Sequence, residues 1–165
     1  MRNLTSEDFT CIKILNTKKE NERQWEKSKA VFDHFYTFLL QKGLGDPIAR
    51  RRTKDMVFFV MDYLFVHDDA ESILDVTDYT IRQFLGDWYI RHFPKPTIHG
   101  ITLKLRAFAD FFNFLNTLGY ITDEELTEIK AVCKDRKWFE MRLKTYKQAR
   151  NELLTDSGYG LSKKI

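Results

Sequence analysis

The sequence predicts an all-α fold, and three observations predict it. Phe supplies 14 of the 165 residues while Gly and Pro supply only 7 and 3, which favours long uninterrupted elements over a turn-rich β architecture. Large apolar side chains recur at three- and four-residue spacing along most of the chain. No segment stands out with the alternation of a strand. The length suits one domain, and 43% hydrophobic with 31% charged residues suits a packed core rather than disorder.

The first long helix is expected over Glu20 to Gln41, where Trp25, Phe32, Phe35 and Leu39 form a stripe widened by Val31 and Phe38. "KGLGDP" stops it, because two glycines and a proline cannot continue a helix. Asp46 then serves as N-cap and Pro47 as first residue of a second helix, with Met56, Phe59, Val60, Tyr63 and Leu64 inward. A third helix starts at Thr77 or Asp78 and buries Ile81, Phe84, Leu85 and Trp88. "PKP" breaks the chain, and Thr97 caps a fourth helix whose inward positions are Ile98, Ile101, Leu105, Phe108, Ala109, Phe112 and Leu115, with Gly119 as its stop. Thr122 with Glu125 is a capping box that opens a fifth helix. The charged remainder, through Leu154, reads as a continuing or separate helix. The resulting division is an N-terminal segment over 1–22, a helical body over 23–130, a basic helix over 131–155 and a flexible tail over 156–165.

Net charge is +3, too little to imply a polyanionic partner, but its distribution is uneven. Lys42 to Lys54 holds five cations to one anion, Asp55 to Asp87 eight anions to one cation, and Lys130 to Arg150 eight cations to two anions. Such polarity allows an oriented approach to an anion. Cys11 and Cys133 have no partners at metal-ligand spacing, and a disulfide framework is not expected. There is no signal-peptide pattern and no apolar run of membrane-spanning length, so a cytoplasmic protein without membrane attachment is expected. No phosphate-binding glycine loop, metal cluster or Ser/Cys–His arrangement is present, and no cofactor is expected.

Helical geometry sorts the cations. With Met56 at 0° and 100° per residue, the second helix's core stripe spans about 300° to 80°. Arg50, Arg51 and Lys54 fall near 120°, 220° and 160°, facing outward, whereas Arg52, near 320°, is expected to pair internally or to snorkel. The three outward cations sit at the positive end of the helix dipole, the less favourable end for them. On the fourth helix His99, Leu103 and Arg106 share an outward strip, with Lys95 just ahead and Asp110 placed to pair with Arg106. Thr97 is either a plain cap or part of an anion site at the helix start. Phe58 and Phe114 also point outward on these wheels, either packed by another helix or exposed to a partner.

The segments "FDHFYTFLLQKGLGDPIARRRTKDMVFFVMDYL", "ILDVTDYTIRQFL" and "KPTIHGITLKLRAFADFFNFLNTLGYI" together resemble the core-binding (SAM-like) domain of tyrosine recombinases and phage integrases. Thr97, Ile98, Leu105, Arg106, Phe108, Phe112, Leu115, Gly119 and Ile121 carry the last and most specific part of the likeness, which covers roughly Ala30 to Ile121. The resemblance implies a bundle of four to five helices lying against duplex DNA, its second and fourth helices nearest the groove and backbone. The residues expected at that contact are Lys42, Arg50, Arg51, Lys54, Lys95, Thr97, His99, Lys104 and Arg106.

The catalytic half of such enzymes is not matched. None of His34, His67, His92 or His99 is followed three residues later by Arg, and 44 residues after Ile121 are too few for a strand-transfer domain. Tyr146 and Tyr159 are therefore not expected to be nucleophiles, and the chain is not expected to be an enzyme. Two functions stay open: a DNA-binding module acting through phosphate contacts, or a protein-interaction module on the same scaffold, self-associating or binding a partner through the basic C-terminal helix.

Overall fold

The computed structural model describes residues 1–12 and 17–159, the side chains of 158 and 159 excepted. Residues 160–165, most of the segment expected to be a flexible tail, lie outside the described residues. The fold is all-α. Its helices are α1 (Lys18–Gln41), α2 (Asp46–Phe58), α3 (Asp78–Gln83), α4 (Tyr89–His92), α5 (Ile98–Thr117), α6 (Asp123–Lys134) and α7 (Arg136–Tyr159). One antiparallel bridge, Thr10 to Ser72, is the sole β pairing among the described residues.

Local chemistry sets the boundaries. Thr17 caps α1 in a reciprocal box with Glu20, so the helix begins a turn before the apolar stripe does. Gly43 (φ 89°) and Gly119 (φ 80°) end α1 and α5 in left-handed conformation. At each end the following amide bonds back to the last turn: Leu44 N to Leu39 O at 3.1 Å, and Tyr120 N to Leu115 O at 3.0 Å. This is the Schellman arrangement, for which glycine carries no steric cost. Gly45, not Asp46, caps α2, because the Asp46 carboxylate is drawn away to Tyr36 and Arg50. Thr97 and Thr122 cap α5 and α6 through bonds from Gly100 N and Glu125 N, at 3.0 and 3.2 Å.

Two wide π turns interrupt the regular helices, Phe59–Leu64 after α2 and Phe84–Trp88 between α3 and α4. They face each other: Phe59 and Tyr63 lie 5.0 and 4.9 Å from Phe84 between ring centroids, and Phe108 of α5 closes on Phe59 at 4.7 Å. The extra residue in each turn turns neighbouring aromatic positions to the same side. Phe58 packs on Phe84, Trp88 and Phe93, and Phe114 packs on Phe35 and Phe38 of α1, so both outward-pointing phenylalanines are covered by other elements.

Both ends of the chain join this core. Phe9 is fully buried against Tyr120, whose hydroxyl donates to Leu4 O at 2.9 Å. Gln24 and Ser28, both fully buried on α1, satisfy one another at 2.8 Å, and Gln24 also accepts from Ile12 N at 2.6 Å. At the other end Phe139 and Leu143 bury the start of α7, and Trp138 lies so close to Gly86 that a Cβ there would overlap its ring. From Lys147 to Ser157 every described side chain of α7 is exposed.

Candidate nucleic-acid interface

The seam between α2 and α5 organises the cations. Arg52 pairs with Asp110, and Asp55 accepts from Lys104 at 2.8 Å. Positions rising along α2 thus meet positions falling along α5, so the helices are antiparallel and Arg106 comes level with Lys54. The bonds turn Arg52 and Asp55 toward α5. One helical step away, Arg51 and Lys54 turn to solvent. Arg106 is exposed on the outer side of α5.

The nine expected contact residues separate into three groups. Arg51, Lys54 and Arg106 are exposed, have no ion-pair partner among the described residues, and flank the outer side of one seam. Lys42 and Arg50 are exposed but engaged. Lys42 lies 3.9 Å from Asp110 and 5.4 Å above the Phe38 ring, while Arg50 bonds Asp46 at 2.8 Å and covers Tyr36. Asp46 also accepts from the Tyr36 hydroxyl, which with Arg50 holds its pKa below the ordinary carboxylate value and raises that of Tyr36. Lys95, Thr97 and His99 form a third, exposed group at the start of α5. About 10 Å of helix separates His99 from Arg106.

Two expectations are corrected. Lys104 is not an outward cation: only 15% of its side chain is exposed, and it is held by Asp55 and the Tyr89 ring 5.2 Å away. Asp110 does not pair with Arg106, because Arg52 and Lys42 take it first. That exchange removes the carboxylate expected to weaken the outer strip of α5. Arg52 pairs internally, as its place on the stripe side of the wheel indicates.

Sequence reasoning missed two further cations beside this surface. Lys144 and Lys147 of α7 line a groove with Ile98, the first residue of α5, and both are exposed. They sit one helical turn apart on the side of α7 that turns toward Ile98. The periodicity of Leu143 and Tyr146 was the signal for that register, since Leu143 is buried and fixes the orientation of its neighbours. Lys95 and His99, at the start of α5, therefore have lysines of α7 near them. No helix among the described residues is long and apolar enough to cross a membrane. No family model, curated protein or solved structure matches the chain.

Proposed function

We propose that the protein is a non-catalytic DNA-binding module that grips duplex DNA through its phosphates, in the manner the recombinase resemblance implies. The observation that supports it is the division of the seam cations: those facing inward are neutralised by Asp55 and Asp110, whereas Arg51, Lys54 and Arg106 face outward without a carboxylate. Exposed, unneutralised cations on two adjacent helices suit the regularly spaced charges of a nucleic-acid backbone, and such contacts dominate affinity without reading sequence. Lys95 and His99, with Lys144 and Lys147, would extend the grip past the start of α5. Arg50 and Lys42 contribute less, because each would first have to leave an anion.

A fluorescence titration with duplex DNA tests this reading. With three to five phosphates neutralised, affinity falls about 40- to 500-fold between 50 and 200 mM salt. The triple variant Arg51→Glu, Lys54→Glu, Arg106→Glu abolishes retention while helicity is unchanged, since none of the three supports the core. Binding that ignores salt, or a triple variant that still binds, refutes the phosphate grip. The protein-interaction reading would then stand in its place.

A further inference from the structure

We propose that two copies of the chain exchange C-terminal helices, the free half of α7 from one copy seating in an acidic-edged apolar groove of the other. The helix half is the unpartnered segment from Lys147 onward, on which Leu153 and Leu154 are 71% and 63% exposed. About 20 Å of single helix standing in water has little intrinsic stability, so its order points to a surface that covers it. The groove is lined by Phe58, Met61, Asp62, Val66, His67 and Trp88. Val66 is 47% exposed and no cation neutralises Asp62 among the described residues.

Charge argues for a second copy as the occupant. The groove belongs to the stretch Asp55 to Asp87, with eight anions to one cation, and α7 belongs to the stretch Lys130 to Arg150, with eight cations to two anions. Arg150 stands three and four residues before Leu153 and Leu154, on the same side of the helix as both. Leucines entering the groove therefore bring a guanidinium to its rim, where Asp62 awaits a partner.

Position argues for exchange in both directions. Phe58, in the groove wall, packs on Phe93, which lies just ahead of Ile98, and α7 passes Ile98 on its way out of the body. Groove and free helix are thus at the same end of the bundle. Two copies meeting at that end through a two-fold axis fill both grooves, which doubles the buried area and closes the assembly. One helix in one groove would fall at the weak end of interface sizes, and the reciprocal pair reaches the range of stable dimers.

Sedimentation of the full chain without DNA, from micromolar to millimolar concentration, tests the exchange independently of DNA binding. The expected result is a monomer–dimer equilibrium that salt weakens. Leu153→Glu with Leu154→Glu raises the dissociation constant about tenfold or more, and both sites are exposed, so the body stays folded. Asp62→Arg and Arg150→Asp each weaken the dimer, and the chain carrying both regains it. A chain that stays monomeric, a dimer indifferent to the leucine changes, a double charge exchange without recovery, or unlimited growth into larger species overturns the proposal.

Discussion

The Lys104 ammonium donates to the Asp55 carboxylate at 2.8 Å, with 15% and 13% of the two side chains exposed. This bond, with Arg52 to Asp110, locks the antiparallel seam of α2 and α5 and determines which cations remain outside. An ammonium on an otherwise basic surface is thereby converted into a structural strut.

Removing one member of that pair leaves a nearly buried charge alone. Lys104→Met is expected to destabilise the fold by about 2–3 kcal/mol, below the range of fully buried pairs because some solvent reaches the site. Adding Asp55→Leu recovers most of the loss, since apolar packing replaces the pair. Urea unfolding of the two variants checks this. The salt slope of DNA binding stays at the wild-type value in both, which distinguishes a strut from a phosphate contact.

The junction of α7 with the body rests on a close approach. Gly86 faces the Trp138 ring without room for a Cβ, Arg142 donates to Gly86 O at 3.1 Å, and the Arg82 guanidinium lies 4.7 Å from the same indole. Gly86→Ala is expected to cost about 1–3 kcal/mol by overpacking. Trp138→Leu in the same chain relieves the clash, so the double variant is less destabilised than the two separate losses added together. Thermal unfolding of the single and double variants decides it.

Core positions were legible in the sequence wherever a regular helix carried them. Met56, Phe84, Leu105, Phe108 and Phe112 all bury as the stripes predict. Phe58 and Phe114 were ambiguous because a single-helix wheel assumes one buried side. In the structure α5 is covered by α1, α2 and α6, so its buried arc is far wider than one stripe. The π turns were invisible to a fixed 100° step. In the candidate interface, outward cations could be read from the wheel but their neutralisation could not, because Asp110 is 58 residues from Arg52 and Asp55 is 49 from Lys104. Lys104 itself lies one step from Leu105 at the margin of the buried arc, where a long side chain turns inward once an anion waits there.

Asp46 restrains Arg50, so neutralising it should strengthen DNA binding if the phosphate grip is correct. Asp46→Asn keeps the shape of the side chain and releases the guanidinium from its 2.8 Å bond. One additional phosphate contact raises the salt slope by about 0.9 and increases affinity several-fold at low salt. A duplex titration at several salt concentrations measures both. The pair is exposed, so the change in fold stability is within about 1 kcal/mol.

The N-terminal segment gives the fold an acid-sensitive fastening. Asp8, 5% exposed, bonds Arg2 at 2.5 and 2.9 Å and accepts from Thr5 N at 2.7 Å. The Arg2 bond is the main reason its pKa is lowered from 3.8 to about 2; burial opposes the change and the Thr5 amide assists it. A carboxylate whose pKa is lower folded than unfolded stabilises the fold above its unfolded value and loses that contribution as pH falls toward the folded one. The contribution is about 2 kcal/mol, present at pH 5 and above and gone near pH 2. Asp8→Asn should therefore be less stable than wild type by about that amount at neutral pH, with the gap closing as the solution is acidified. Urea midpoints measured across that range test it, and a gap that persists at pH 2 would assign the stabilisation to packing rather than to the charge.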